Sequence, residues 1–156
     1  MLSWERAPGE KEIKLLRRGM QEGRIIPTGE MNTHYQADWA GDQYRIHSVR
    51  AWTLSFRIEQ PDTGLSATLK FKLTGRQAII TNNLGGTLTL KRTSRKRRTW
   101  QLRVQGDILL DLFWEKNAVE GTALLEENQV NRLHLLLIIF SLDRFYARSW
   151  GGDYRT

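Results

Sequence analysis

The sequence predicts a mainly β fold: a closed antiparallel β-barrel of about 10–12 strands around a buried hydrophobic C-terminal helix. Three observations predict it. From residue 24 to residue 125 apolar side chains recur with a period of two, interrupted by tight-turn sequences. Residues 133–142 then read LHLLLIIFSL, a run with almost no polar face, which suits a helix buried on every side. No repeated strand–helix–strand pattern occurs, so neighbouring strands in the chain are expected to pair antiparallel. About eight strands already bring the walls of a barrel into contact, so a larger barrel needs a filler. A helix of about 20 residues is about 30 Å long and matches that lumen.

The chain of 156 residues has the size of one domain. Residues 1–23 are expected to form an N-terminal extension, in which Ile13, Leu15 and Leu16 among charges predict a short amphipathic helix over 9–20, ended by Gly19. Residues 24–126 hold the barrel strands. Met31, Thr33, Tyr35 and Ala37, then Trp39-Ala40-Gly41-Asp42, then Tyr44, Ile46 and Ser48 read as a hairpin.

Trp52, Leu54, Phe56 and Ile58 alternate with polar residues, and after Pro61-Asp62-Thr63-Gly64 the pattern resumes at Leu65, Ala67, Leu69, Phe71 and Leu73. A turn centred on Pro61-Asp62 pairs 58 with 65, 56 with 67 and 54 with 69. A strand follows over 76–81, and a turn over 82–86. Leu88 and Leu90 then face the same side as Trp100, Leu102 and Val104, so a hairpin centred on Lys96 pairs 90 with 102. The last hairpin matches 114 with 119, setting Leu112 beside Gly121 and Leu110 beside Ala123.

The helix is expected over 129–149, and its ten-residue apolar run is too short to span a bilayer. At 100° per residue His134, Ser141 and Arg148 form one stripe with Asn131 nearby, and Asp143 lies opposite. The stripe suits polar residues that hydrogen-bond to the barrel and set the helix's rotation; Ser141 and His134, two turns apart, are too distant for direct proton transfer. Asp143 falls where the helix dipole disfavours a carboxylate, so an arginine or a backbone N–H should meet it.

The meander of short strands followed by LHLLLIIFSLDRF, an apolar run closed by Asp143, resembles the tubby C-terminal-like superfamily over about residues 29–150. That superfamily takes in tubby proteins, phospholipid scramblases and LURP-one-related proteins. The resemblance implies a twelve-stranded barrel around a hydrophobic C-terminal helix, and a non-enzymatic, membrane-adjacent module. Tubby proteins bind phosphoinositides, but no motif carries their lipid-binding residues onto positions here. The cysteine-rich and acidic features of scramblases are also missing, so scrambling is not implied. A lipocalin-like ligand barrel and a β-sandwich with an external helix remain open.

Charge distribution bears on function. The formal net charge is +7, with 24 Lys and Arg against 17 Asp and Glu, and there is no acidic residue between Asp62 and Asp107. Lys91, Arg92, Arg95, Lys96, Arg97, Arg98 and Arg103 equal that whole excess, and Lys70 and Lys72 add to the same stretch. Strand parity points Lys70, Lys72, Lys91 and Arg103 outward, while residues 95–98 crowd a hairpin tip. These nine residues are the candidate anion-binding site, suited to phosphates on a membrane surface. Nucleic acid is the less favoured partner, because aromatics do not interleave with the run except Trp100, which points inward. A solvated loop that only aids solubility, a cytoplasmic scaffold and a ligand-binding or enzymatic barrel are the other readings.

No catalytic constellation, cofactor or metal is expected. There are no cysteines, and His34, His47 and His134 lack metal-ligand spacing. Gly85-Gly86 precedes a strand without a following Lys-Ser/Thr, so it reads as a turn and not as a phosphate loop. Asp107, Asp111 and Glu115 read as a solvated outer face. The N-terminal residues carry Glu5, Glu10 and Glu12 with no signal-peptide core, so a cytoplasmic, membrane-peripheral location is expected. The oligomeric state is not legible.

Overall fold

The computed structural model describes residues 2–6, 11–28, 34–49, 54–114, 118–121 and 129–149. Among the described residues twelve strands precede one helix: β1 (Leu2–Glu5), β2 (Ile13–Arg17), β3 (Met20–Pro27), β4 (His34–Trp39), β5 (Asp42–Ser48), β6 (Ser55–Gln60), β7 (Leu65–Phe71), β8 (Gln77–Asn82), β9 (Thr87–Ser94), β10 (Thr99–Val104), β11 (Asp107–Phe113), β12 (Ala118–Gly121) and α1 (Gln129–Ser149). Each strand pairs antiparallel with the next. β1 also pairs with β12 through Leu2↔Val119 and Ser3↔Ala118, so the strand order returns on itself through two residue pairs.

The helix is interior. From Leu133 to Asp143 no residue exposes more than 4% of its surface. A helix lying on the outside of a sheet would show one side to water; this one is covered all round by inward residues of the strands. Phe140, for example, meets Tyr35 of β4 and Phe56 of β6, at ring-centroid distances of 4.7 Å and 5.4 Å.

The N-terminal residues depart from the sequence-based expectation, because 9–20 contains no helix among its described residues. Ile13 and Leu15 are both buried, a period of two, and β2 turns into β3 through Arg18 and Gly19 at φ 52° and 79°. Two successive residues in the left-handed region form the hairpin turn whose twist matches that of its strands. Ala40-Gly41 (φ 52° and 90°) and Gln105-Gly106 (φ 49° and 89°) repeat it. The described residues before Thr28 therefore supply three strands of the sheet, β1, β2 and β3, and not an extension.

The β9–β10 register matches the expectation, with Leu90 opposite Leu102. Two other hairpins slip by two residues. Ile58 pairs with Ala67 and Phe56 with Leu69, because the amides of Thr63 and Gly64 both bond to the carbonyl of Gln60 and make 61–64 the turn. Likewise Leu112 pairs with Val119 and Leu110 with Gly121, with Phe113↔Ala118 as the innermost pair. A slip of two preserves parity, so the inward set is unchanged. Leu73 does leave it: β7 ends at Phe71, since the amide of Lys72 bonds to Gln77 and that of Gly75 to Lys72, and Leu73 is 106% exposed. The expectations for Met31, Thr33, Trp52, Glu115 and Ala123 lie outside the described residues.

The two ends differ. One carries the three tight Gly turns, the 61–64 and 83–86 turns and the start of α1. There Arg132 sits 3.5 Å from Asp42, and His134 meets Asn82 of β8. The other carries the end of β1, the β7–β8 turn, the β9–β10 tip and the last turns of α1.

Candidate functional site: a basic rim over an aromatic floor

At this second end the core finishes in a set of touching rings. Trp4 packs on Trp114 at 5.3 Å, Trp114 stacks on Tyr146 at 5.6 Å, and Phe145 stacks on Phe71 at 4.9 Å and meets Trp100 edge-on at 5.6 Å. Strand alternation aims Phe71, Trp100 and Trp114 inward, and the helical spacing of residues 145 and 146 meets them from the axis. The indole N–H of Trp100 donates to the Tyr146 hydroxyl at 2.9 Å. Burial pushes the Tyr146 hydroxyl's pKa up, against that bond and the charges of Arg92 and Arg98.

The basic tip sits over this floor. Residues 95–98 turn between β9 and β10, with the Arg97 amide donating to Ser94 Oγ at 3.1 Å and the Thr93 and Thr99 hydroxyls bonded across the hairpin at 2.7 Å. The Trp114 amide bonds to the Arg98 carbonyl at 2.9 Å, anchoring the tip to the neighbouring connection. Arg98, at φ 54°, places its guanidinium 5.3 Å from the Tyr146 ring centre, and Arg92 lies 5.8 Å from that of Trp100. Such cations are held by ring faces as well as by water. Arg95, Lys96 and Arg97 are exposed.

The nine candidate residues therefore divide. Lys91 and Lys72 are exposed beside Gln77, whose strand position pairs with Lys91 and whose carbonyl accepts from the Lys72 amide at 2.9 Å. Lys70 is exposed on the outer face of β7, opposite Ser55 and Ile79. Arg103 does not join the tip. It lies at the far end of β10, opposite Thr89 and Ile108, with its guanidinium bonded to Gln101 Oε1 at 2.6 Å. Strand direction explains this, since four residues of β10 carry the chain away from the tip.

Sequence reasoning missed two members. Arg76 is brought beside the tip by the Arg92 amide, which bonds to its carbonyl at 2.8 Å. Leu73 stands out of the same turn, between Lys72 and Arg76 in the chain, and its exposure conflicts with the strand alternation that placed it inside. The signal that could have found both was Thr74-Gly75, a turn pair between the two expected strands whose turn takes in Leu73 and Arg76 as well.

Of the helix's polar residues, Ser141 keeps its buried hydroxyl without a hydrogen-bond partner, against the expected bond to the barrel, while His134 and Asp143 each meet one polar group. Asn82 Oδ1 accepts from the amides of Leu84 and Gly86, so its Nδ2 is the donor toward His134 Nε2 at 3.4 Å, and the imidazole's proton sits on Nδ1. Burial pushes the His134 pKa down to about 4. Asp143 has Arg6 at 3.9 Å, the arginine its position called for, yet burial still raises its pKa to about 7, with Arg6 pulling the other way. Among the described residues no group of three His, Asp or Glu could hold a metal ion, and no helix is long and apolar enough to cross a membrane.

Comparison with protein-family models, curated proteins and solved structures finds no match.

Proposed function

We propose that the chain is a non-enzymatic binding module that docks its tip end on an anionic membrane surface carrying acidic or phosphorylated lipid headgroups. The observation that carries this reading is the exposed Leu73 between Lys72 and Arg76 in the β7–β8 turn, at the same end of the sheet as the exposed Lys96 and Arg97, in a stretch with no acidic residue. An apolar side chain with a surrounding basic rim matches the two layers of a bilayer surface: acyl chains below and phosphates above. Each cation near such a surface contributes about 1 kcal/mol before screening, so adsorption is weak and salt-sensitive. The interior helix within twelve antiparallel strands supports kinship with tubby-like barrels. On this reading the two-pair seam between β1 and β12 stays shut in solution, and the wall acts as one rigid body.

Liposome sedimentation with anionic against neutral lipid, repeated with tRNA or duplex DNA as competitor, tests the proposal. Binding to anionic vesicles should fall when Lys96 and Arg97 are both changed to Glu, and again with Leu73→Ser. Undiminished sedimentation by the reversed protein would overturn it. Loss of vesicle binding to either competitor, with tight binding to the nucleic acid itself, would favour a nucleic-acid partner.

A further inference from the structure

His34 and His47 face each other across the β4–β5 hairpin, and their imidazoles lie at a ring-centre distance of 5.8 Å with an interplanar angle of 25°. The Ala40-Gly41 turn sets that register. With Tyr35, Ala37, Tyr44 and Ile46 buried, strand alternation puts both histidines on the outer face, where His34 is exposed and His47 half-buried. The His34 carbonyl accepts from the Thr28 amide at 3.0 Å, just past the end of β3. A residue of an antiparallel strand turns its N–H and C=O to the same side, so His34 makes its backbone bonds toward β3 and stands opposite His47 as a non-hydrogen-bonded pair. Side chains come closest at such positions, with Cα atoms about 4.5 Å apart. The nearby charges are balanced: Arg57, opposite His47 on β6, bonds through Nε to Glu59 Oε1 at 3.1 Å, and Glu59 stands opposite Arg45.

We propose that His34 and His47 form an open two-histidine site on the outer wall between β4 and β5, taking a divalent transition-metal ion of the zinc or copper kind. An imidazole nitrogen binds zinc at about 2.0–2.1 Å, which sets each ring centre about 3.2 Å from the ion and two such centres about 4.5–6.4 Å apart, for angles at the metal from a right angle to a straight line. The observed 5.8 Å lies inside that span. The ion therefore asks for a turn of the rings about χ2 and no movement of the strands. One nitrogen of each ring serves the ion, and the other stays available for a hydrogen bond. Water fills the remaining positions, so the ion exchanges, unlike one closed in by four protein ligands. Imidazole selects zinc, copper or nickel over magnesium and calcium, which take oxygen ligands. The site is separate from the tip at β9 and β10, and it does not depend on membrane docking.

The test is calorimetric titration of the full chain, freed of metal with a chelator and dialysed, with zinc chloride and, separately, with magnesium chloride at matched ionic strength. Zinc should bind at one ion per chain, and magnesium should not. His34→Gln and His47→Gln should each weaken zinc binding by about tenfold or more, since even the loss of a group that only orients a metal ligand costs that much. His134→Gln, at the buried third histidine, should leave zinc binding unchanged, as should the Lys96→Glu, Arg97→Glu protein, which separates this site from the docking surface. Should either histidine variant fail to fold, proton NMR of the native protein reads the same site: zinc should move the ring signals of two histidines and leave the third in place. No zinc binding, equal binding of magnesium, or undiminished binding by His34→Gln and His47→Gln would overturn the proposal.

Discussion

Trp100 and Tyr146 are joined by a buried hydrogen bond of 2.9 Å, which ties the strand leaving the basic tip to the last turns of the central helix. The same ring of Tyr146 carries Arg98 on one side and touches Trp114 and Phe145. The tip is therefore positioned by the core and not by its own turn alone. Tyr146→Phe removes the acceptor and leaves an indole N–H enclosed, which should cost about 1–3 kcal/mol. Chemical denaturation would measure it, and a double cycle with Trp100→Phe should show that the two losses are not additive.

Asp143 makes stability depend on pH in an unusual direction. Its carboxyl titrates near 7 in the fold against 3.8 ordinarily, so between those values the folded protein binds the extra proton. Stability then falls as pH rises from about 4 to 7, the reverse of a well-paired carboxylate. Asp143→Asn should flatten that dependence and stabilise the protein above pH 7 by on the order of 1 kcal/mol or more, less the weak attraction to Arg6. A series of melts from pH 4 to 8 on both proteins decides it.

His134 acts in the opposite sense. Its pKa is depressed by burial to about 4 from 6.5, so the unfolded chain binds the proton first and stability is lost as pH falls from 6.5 toward 4. His134→Gln should lessen that acid sensitivity. Asn82→Ala should cost about 1–3 kcal/mol at neutral pH, because the amides of Leu84 and Gly86 lose the acceptor that closes their turn.

Gly23 marks the closest approach in the wall. A Cβ there would clash with the Asp38 carbonyl oxygen and come within 3.0 Å of the Trp39 Cα, both backbone atoms of the partner strand. Gly23→Ala must part β3 from β4, and it should disturb the Glu22 carboxylate, which accepts from the Trp39 indole and pairs with Arg17. A loss of about 1–3 kcal/mol, as for overpacked cores, is expected in denaturant melts.

The interior helix offers the most severe test. Leu136 is wholly buried, and Leu136→Asp places an unpaired charge on the axis of the sheet. Folding should fail, seen as insoluble expression or loss of the cooperative melt.

Alternation and the apolar helix were enough to read strand identity, inward faces and the core, because both patterns are local: parity along a strand and hydrophobicity around a helix follow from residue order alone. The sequence by itself also determined that an uninterrupted basic stretch ends in a hairpin, and that Asp143 would need a partner. Pairing of distant segments was not local. Residues 13–17 have a helix-like composition but become β2, because β1 and β3 offer hydrogen bonds on both sides. Turn hydrogen bonds set the register of β6–β7, and they involve backbone atoms that side-chain pattern does not report. Only the tertiary structure decided that Arg76 is bonded beside the tip and that Leu73 turns outward while Arg103 lies away from the tip, and that Arg144 returns on the helix to cover the ring of Tyr35, 109 residues earlier in the chain (144 − 35). The reason is the same in each case: such neighbours are created by strand direction and by the helix returning through the sheet, and neither leaves a trace in the spacing of the residues it brings together.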